Sequence, residues 1–145
     1  MLKTEQALAN FDQAYNCAQA VFATFAPDLG LDRETALKIA SGFGGGMGRS
    51  GQTCGAVSGA LMVIGLSFGY TDNTDYETKA ECYELVHRFI TQFTELHGTV
   101  NCSQLLGCDI GTPEGRETAQ QQDLFATLCP KLVQDAVRIV ERLLV

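Results

Sequence analysis

Six cysteines are the residues of this 145-residue chain best suited to chemistry: Cys17, Cys54, Cys82, Cys102, Cys108 and Cys129. In an oxidising compartment an even count suggests disulfides. In reducing surroundings it points to metal ligation, thiol redox chemistry or plain burial. The start, Met1-Leu2-Lys3-Thr4-Glu5-Gln6, has no apolar run behind a basic end. No signal peptide is therefore expected, and the cytoplasm is the expected location.

Cys54 carries the strongest single signal. Thr53 to Met62 reads as a helix opened by a Ser/Thr cap, with Cys54 in its first turn. Unpaired amide N–H groups and the helix dipole favour negative charge there, which lowers a thiol's pKa. Arg49 is close in sequence and adds positive charge. Cys102 repeats the arrangement behind its Asn101 cap, and Cys108 follows Gly107 in a short turn of the kind that bears ligands. The C-x5-C spacing of this pair matches neither a zinc knuckle nor a thioredoxin-like C-x-x-C.

Cys17 falls off the apolar stripe of its helix, as a residue on a second packing face would. Cys82 falls on the main stripe of another helix and reads as a small core hydrophobe. Cys129 precedes Pro130 and is either a helix-start thiolate or the first apolar contact of the last helix. No Ser/His/Asp set, paired-carboxylate motif or H-E-x-x-H occurs. His87 reads as a flank residue and His97 as a helix-end residue.

The elements that must position these cysteines read as helices. Leu8, Phe11, Tyr15, Ala18, Phe22 and Phe25 repeat at steps of three and four, which predicts one long helix ended by Pro27. Asp32 opens a shorter helix through Ala40. Gly42 to Gly51 is too glycine-rich to sustain a helix and is expected to be a loop of unusual backbone angles. It contains G-x-G-x-x-G at Gly46–Gly51, but a helix rather than a strand precedes it, and Arg49 and Phe43 break a Walker A reading.

Further on, Tyr76 to His97 forms a long helix stopped by Gly98, and Cys102 to Leu106 forms a short turn closed by Gly107. Glu114 to Leu124 reads as a polar helix, and the last helix starts near Pro130. No strict alternation or hairpin dipeptide appears. Asn16-Cys17-Ala18-Gln19 is echoed by Asn101-Cys102-Ser103-Gln104. The expected architecture is a single all-α domain over residues 1–145, a compact bundle of about five to six helices with a Gly-rich loop before a central helix.

Composition narrows the partners. A formal net charge of −7 opposes binding to nucleic acid or anionic lipid. The most apolar stretch, Ala56 to Phe68, is too short for a membrane span. The apolar surface of Tyr76–His97 and of the last helix predicts a homodimer.

The order of motifs resembles a known family. Asn16-Cys17 is followed by Phe43-Gly44-Gly45-Gly46-Met47-Gly48, then Thr53-Cys54-Gly55-Ala56-Val57-Ser58-Gly59-Ala60, then Cys102 and Leu105-Leu106-Gly107-Cys108-Asp109. This is similar to the redox-active proteins named for a C_GCAxxG_C_C motif, with Thr53-Cys54 where that name has glycine and cysteine. The resemblance covers nearly the whole chain, including Cys129-Pro130. It implies redox activity carried by Cys17, Cys54, Cys102 and Cys108, and some relatives are joined to multihaem cytochrome modules with an iron–sulfur site.

The leading expectation is an iron–sulfur or related metal centre on Cys17, Cys54, Cys102 and Cys108, walled by Gly44 to Gly48, Met47 and Ala56, exchanging electrons with an unidentified protein. One alternative is a thiol–disulfide oxidoreductase with Cys54 as the attacking thiolate. The other is a structural zinc protein.

Overall fold

A computed structural model describes residues 1–145. The chain folds into eight helices and no strands. We number them α1 (Lys3–Asp12), α2 (Cys17–Phe25), α3 (Arg33–Ala40), α4 (Gly55–Phe68), α5 (Tyr76–His97), α6 (Cys102–Leu106), α7 (Pro113–Gln121) and α8 (Cys129–Leu144). Leu124–Thr127 adds one helical turn before α8. No helix is long and apolar enough to cross a membrane.

The count exceeds five to six chiefly because the stripe from Leu8 to Phe25 is divided between two helices. Ala14 takes a left-handed φ of 71°, and Asn16 then caps a new helix. Apolar spacing carries across the break because α2 folds back on α1 and both face the same core. A buried polar contact fixes the turn. Asn10 donates to Thr24 Oγ1 at 3.1 Å and accepts from Arg33 Nη2 at 2.9 Å, joining α1, α2 and α3.

The core is a cluster of 26 buried residues shared by α2, α4, α5 and α8. Helix α8 supplies its most regular face: Leu132, Val133, Ala136, Val137, Val140 and Leu143 recur at helical spacing and are all buried. Phe89 and Phe93 of α5 are fully buried with ring centroids 5.9 Å apart. Deleting either ring would cost about 3–5 kcal/mol. Cys82 lies in this core, as its stripe position predicts. A second cluster of 5 buried residues contains Cys102, Leu106, Ile110, Ala119 and Cys129. Cys54 belongs to the large cluster and Cys102 to the small one, so the cysteines lie along the seam between them.

Candidate functional site

Four cysteines stand where helices begin. Cys17, Cys102 and Cys129 are the first residues of α2, α6 and α8, and Cys54 is the N-cap of α4. Local sequence explains two of these starts directly. Asn16 Oδ1 accepts from the Gln19 amide at 2.8 Å while Gln19 Oε1 accepts from the Asn16 amide at 3.0 Å, a reciprocal cap. Asn101 Oδ1 accepts from the Gln104 amide at 2.9 Å. The Asn-Cys-x-Gln echo is thus one device used twice, each copy setting a cysteine at a helix start. Pro130 opens α8 in the first turn, where its missing N–H costs nothing.

An isolated antiparallel bridge between Thr53 and Asn101 brings two of these starts together. The Cys54 amide donates to Val100 O at 2.8 Å and the Cys102 amide to Gln52 O at 2.6 Å. The glycine segment supports this pairing in an uncommon conformation. Gly45, Gly46, Met47, Gly48 and Arg49 all have φ between 60° and 69°, a turn of left-handed helix. Gly46 faces Cys102, and a Cβ there would fall 2.7 Å from Cys102 Cβ and 2.6 Å from the Gln52 amide. Only glycine combines that approach with that φ. Across the site, a Cβ on Gly55 would lie 3.1 Å from Cys17 Cβ, so α4 enters close against α2. Met47, expected on the wall of the site, is 42% exposed.

The thiols feel one another's charge. The Cys129 thiol acts on Cys17 and raises it well above an ordinary thiol; burial and the neighbouring Cys54, Cys129 and Cys102 add to the rise. Cys17 in turn lowers the pKa of Cys129. Burial pushes Cys54 up to about 11, against the lowering effect of the Ala56 and Val57 amides. Burial again, then Cys54, Cys129 and Cys108, push Cys102 up to about 12. The helix-start effect expected at Cys54 is present, but burial outweighs it.

Charge effects among the thiols link Cys17, Cys54 and Cys102 of the expected set with Cys129. Cys108 is half-buried in the turn after α6, adds to the rise at Cys102 and points its thiol to Leu106 O at 3.6 Å. Pro130 was the available signal for Cys129, because a proline after the first residue marks a helix start. No three cysteine, histidine, aspartate or glutamate side chains stand close enough to enclose a single metal ion. His97 is far in role from the thiols: it closes α5 and pairs with Asp135 at 3.0 Å.

Beside Cys17 and Cys129 lies an open cavity of about 790 Å³, lined also by Phe11, Tyr15 and Phe125 and by the charged Asp12, Arg49, Arg116 and Asp123. The thiol group is thus reached from solvent on one side while Cys54, 3% exposed, forms its dry side.

Comparison with known proteins agrees with this arrangement. Residues 15–143 match the family described as "Putative redox-active protein (C_GCAxxG_C_C)". A protein of Archaeoglobus fulgidus, described only as an uncharacterized protein, is 31% identical over 104 residues, 65% of this chain and 67% of its own length. No solved structure matches the chain. The matched span begins just before Cys17 and runs through Cys129 into α8, and the chain belongs to the C_GCAxxG_C_C family of redox-active proteins.

Proposed function

We propose that this is an electron-transfer or redox-sensing protein whose thiols Cys17, Cys54, Cys102 and Cys129 hold an iron–sulfur cluster. The observation that carries this reading is the meeting of four cysteines at the starts of four different helices. At α4 the amides of Ala56 and Val57 are directed at the Cys54 sulfur, and a helix start of this kind suits a group of concentrated negative charge. Four thiolates are also the usual ligand set of such a cluster.

Electrostatics supports the same reading. The thiols raise one another's pKa because several thiolates side by side repel. A multivalent cation removes that penalty and displaces the protons. The amides of Ala56 and Val57, directed at the Cys54 sulfur, stabilise negative charge there and would tune a potential. A lone tetrahedral zinc needs four sulfurs at about 2.3 Å from one point. No three of these side chains enclose a single metal ion as placed, which counts against a lone zinc and means that a cluster would need inorganic sulfide to bridge its ligands. Such a cluster supplies one-electron transfer when bound. The protein's part is to hold it, keep water from its Cys54 side, and leave Cys17 and Cys129 facing the cavity.

A second reading is favoured by the mutual effect of Cys17 and Cys129, one thiol raised and the other lowered. That pair suits reversible disulfide formation with Cys129 as the thiolate, and burial argues against Cys54 in that role. It leaves the pairing of the Cys54 and Cys102 helix starts through the Thr53–Asn101 bridge without a purpose.

Anaerobic purification with iron and acid-labile sulfide analysis separates these readings. Iron and sulfide in equal amounts, with visible absorption, are expected. Colourless protein after anaerobic reconstitution, with a Cys17–Cys129 disulfide found on oxidation, selects the dithiol. Zinc at one per chain selects a structural site.

A further inference from the structure

The cavity above Cys17 and Cys129 has features that electron transfer between proteins does not require. Two cationic and two anionic side chains, Arg49, Arg116, Asp12 and Asp123, line one open space. None of the four belongs to an ion pair. Arg116 is held by donating to Ile110 O at 3.1 Å, which fixes its head without neutralising it. Opposite charges that share a cavity and remain apart form a template for a ligand carrying both signs.

The backbone reinforces this. The chain has four non-glycine residues of positive φ, and three of them, Ala14 (71°), Arg49 (64°) and Asp123 (58°), line this cavity. Left-handed backbone at such residues is uncommon, and it gathers where surrounding structure holds a ligand-binding geometry. Two of these residues, Arg49 and Asp123, are themselves charged.

We propose that the cavity binds a small sulfur-bearing zwitterion, a thiol of the amino-acid or short-peptide kind. Its carboxylates meet Arg49 and Arg116, its ammonium meets Asp12 or Asp123, and its sulfur lies toward Cys17 and Cys129. An inorganic oxyanion would satisfy the guanidiniums but meet two unscreened carboxylates, and a simple cation would meet the reverse. The floor of two cysteine sulfurs offers weak hydrogen bonding and favours a polarisable atom over a hydroxyl. A volume of about 790 Å³ fits a short peptide rather than a single ion. The inference goes beyond the redox reading, since binding depends on the cavity charges and not on a bound metal.

The test is calorimetric titration of the anaerobic, reduced protein with reduced glutathione, before and after iron reconstitution. Saturable binding at one site is expected. Arg49→Gln should weaken it about tenfold, as loss of a charge-assisted contact does. Ala126→Phe, which fills the cavity from an exposed lining residue, should weaken it at least as much. Lys38→Gln, on α3 outside the cavity, should leave affinity unchanged. The tripeptide with 2-aminobutyrate in place of cysteine should bind more weakly. No saturable binding at millimolar ligand, equal affinity in Arg49→Gln and Ala126→Phe, or equal affinity for the sulfur-free tripeptide would overturn the proposal. A protein that takes up no iron yet binds the tripeptide would refute the cluster and leave this site standing.

Discussion

Cys17 and Cys129 open helices α2 and α8, separated by most of the chain, and act on each other so that the pKa of Cys17 is raised and that of Cys129 lowered. Cys129 is buried in the small cluster with Cys17 half-buried against it, yet both line the open cavity, whose lining includes neither Cys54 nor Cys102.

This arrangement ranks the cysteines. Cys129→Ser should abolish iron uptake as fully as Cys17→Ser, since serine is a poor thiolate substitute and either loss admits water. Cys108→Ser should retain most of the iron, because Cys108 stands in the turn after α6 and not at a helix start. Cys82→Ala should retain all of it and lose only packing, about 1 kcal/mol. Iron per folded chain after reconstitution measures each. Full uptake by Cys129→Ser with none by Cys108→Ser would restore the original ligand set.

Gly46→Ala tests the glycine segment. The new Cβ would enter at φ 66° and meet Cys102 Cβ at 2.7 Å and the Gln52 amide at 2.6 Å. Neither neighbour is a flexible side-chain end, so the left-handed turn must move off Cys102. Loss of at least about 2 kcal/mol is expected from strain and overpacking combined. Reduced iron affinity should accompany it, read by denaturant unfolding and by competition with a chelator.

Much of this was legible in the chain itself. The helical stripes of α5 and α8, the Asn101 cap, the stop at Gly98 and the core place of Cys82 follow from spacing and side-chain type. The division of α1 from α2 was hidden because Ala14, an unlikely residue for left-handed backbone, makes the turn, while the apolar stripe continues through it. The cue was Asn16 with Gln19, a reciprocal cap lying inside the stripe. The glycine run announced unusual angles but could not announce a left-handed turn facing Cys102. Cys54's helix-start position was readable, whereas its burial depends on the seam between two clusters. Spacing along the chain cannot weigh one against the other.

Ala14→Gly should stabilise the protein. Alanine at φ 71° bears a left-handed cost of about 1–2 kcal/mol. Glycine removes it but adds unfolded-chain entropy, leaving a net gain of about 0.5–1 kcal/mol. Thermal unfolding should show a Tm higher by roughly 2–3 °C. A lower Tm would mean that the Ala14 methyl makes a contact worth more than the strain it carries.

The last prediction concerns alkaline pH in the reduced, metal-free protein. Cys54 has a folded pKa of about 11 against an ordinary 9.0, and Cys102 about 12. A thiol whose folded pKa is raised keeps its proton in the native state after the unfolded chain has lost it. Between these values the native state binds more protons, so the contribution of Cys54 and Cys102 is constant below about pH 9 and falls as pH rises toward 11 and 12, whereas the lowered Cys129 adds an opposite slope below pH 9. Cys54 alone accounts for about 3 kcal/mol over that window, taking 1.36 kcal/mol per pKa unit. Denaturant midpoints measured from pH 9 to 11 should decline. The decline should shrink in Cys54→Ala, whose own loss of packing appears at every pH as a constant offset. An undiminished decline in that variant would assign the alkaline sensitivity to other groups. With iron bound the thiols are already deprotonated, so the same series on reconstituted protein should lose its cysteine-dependent slope above pH 9.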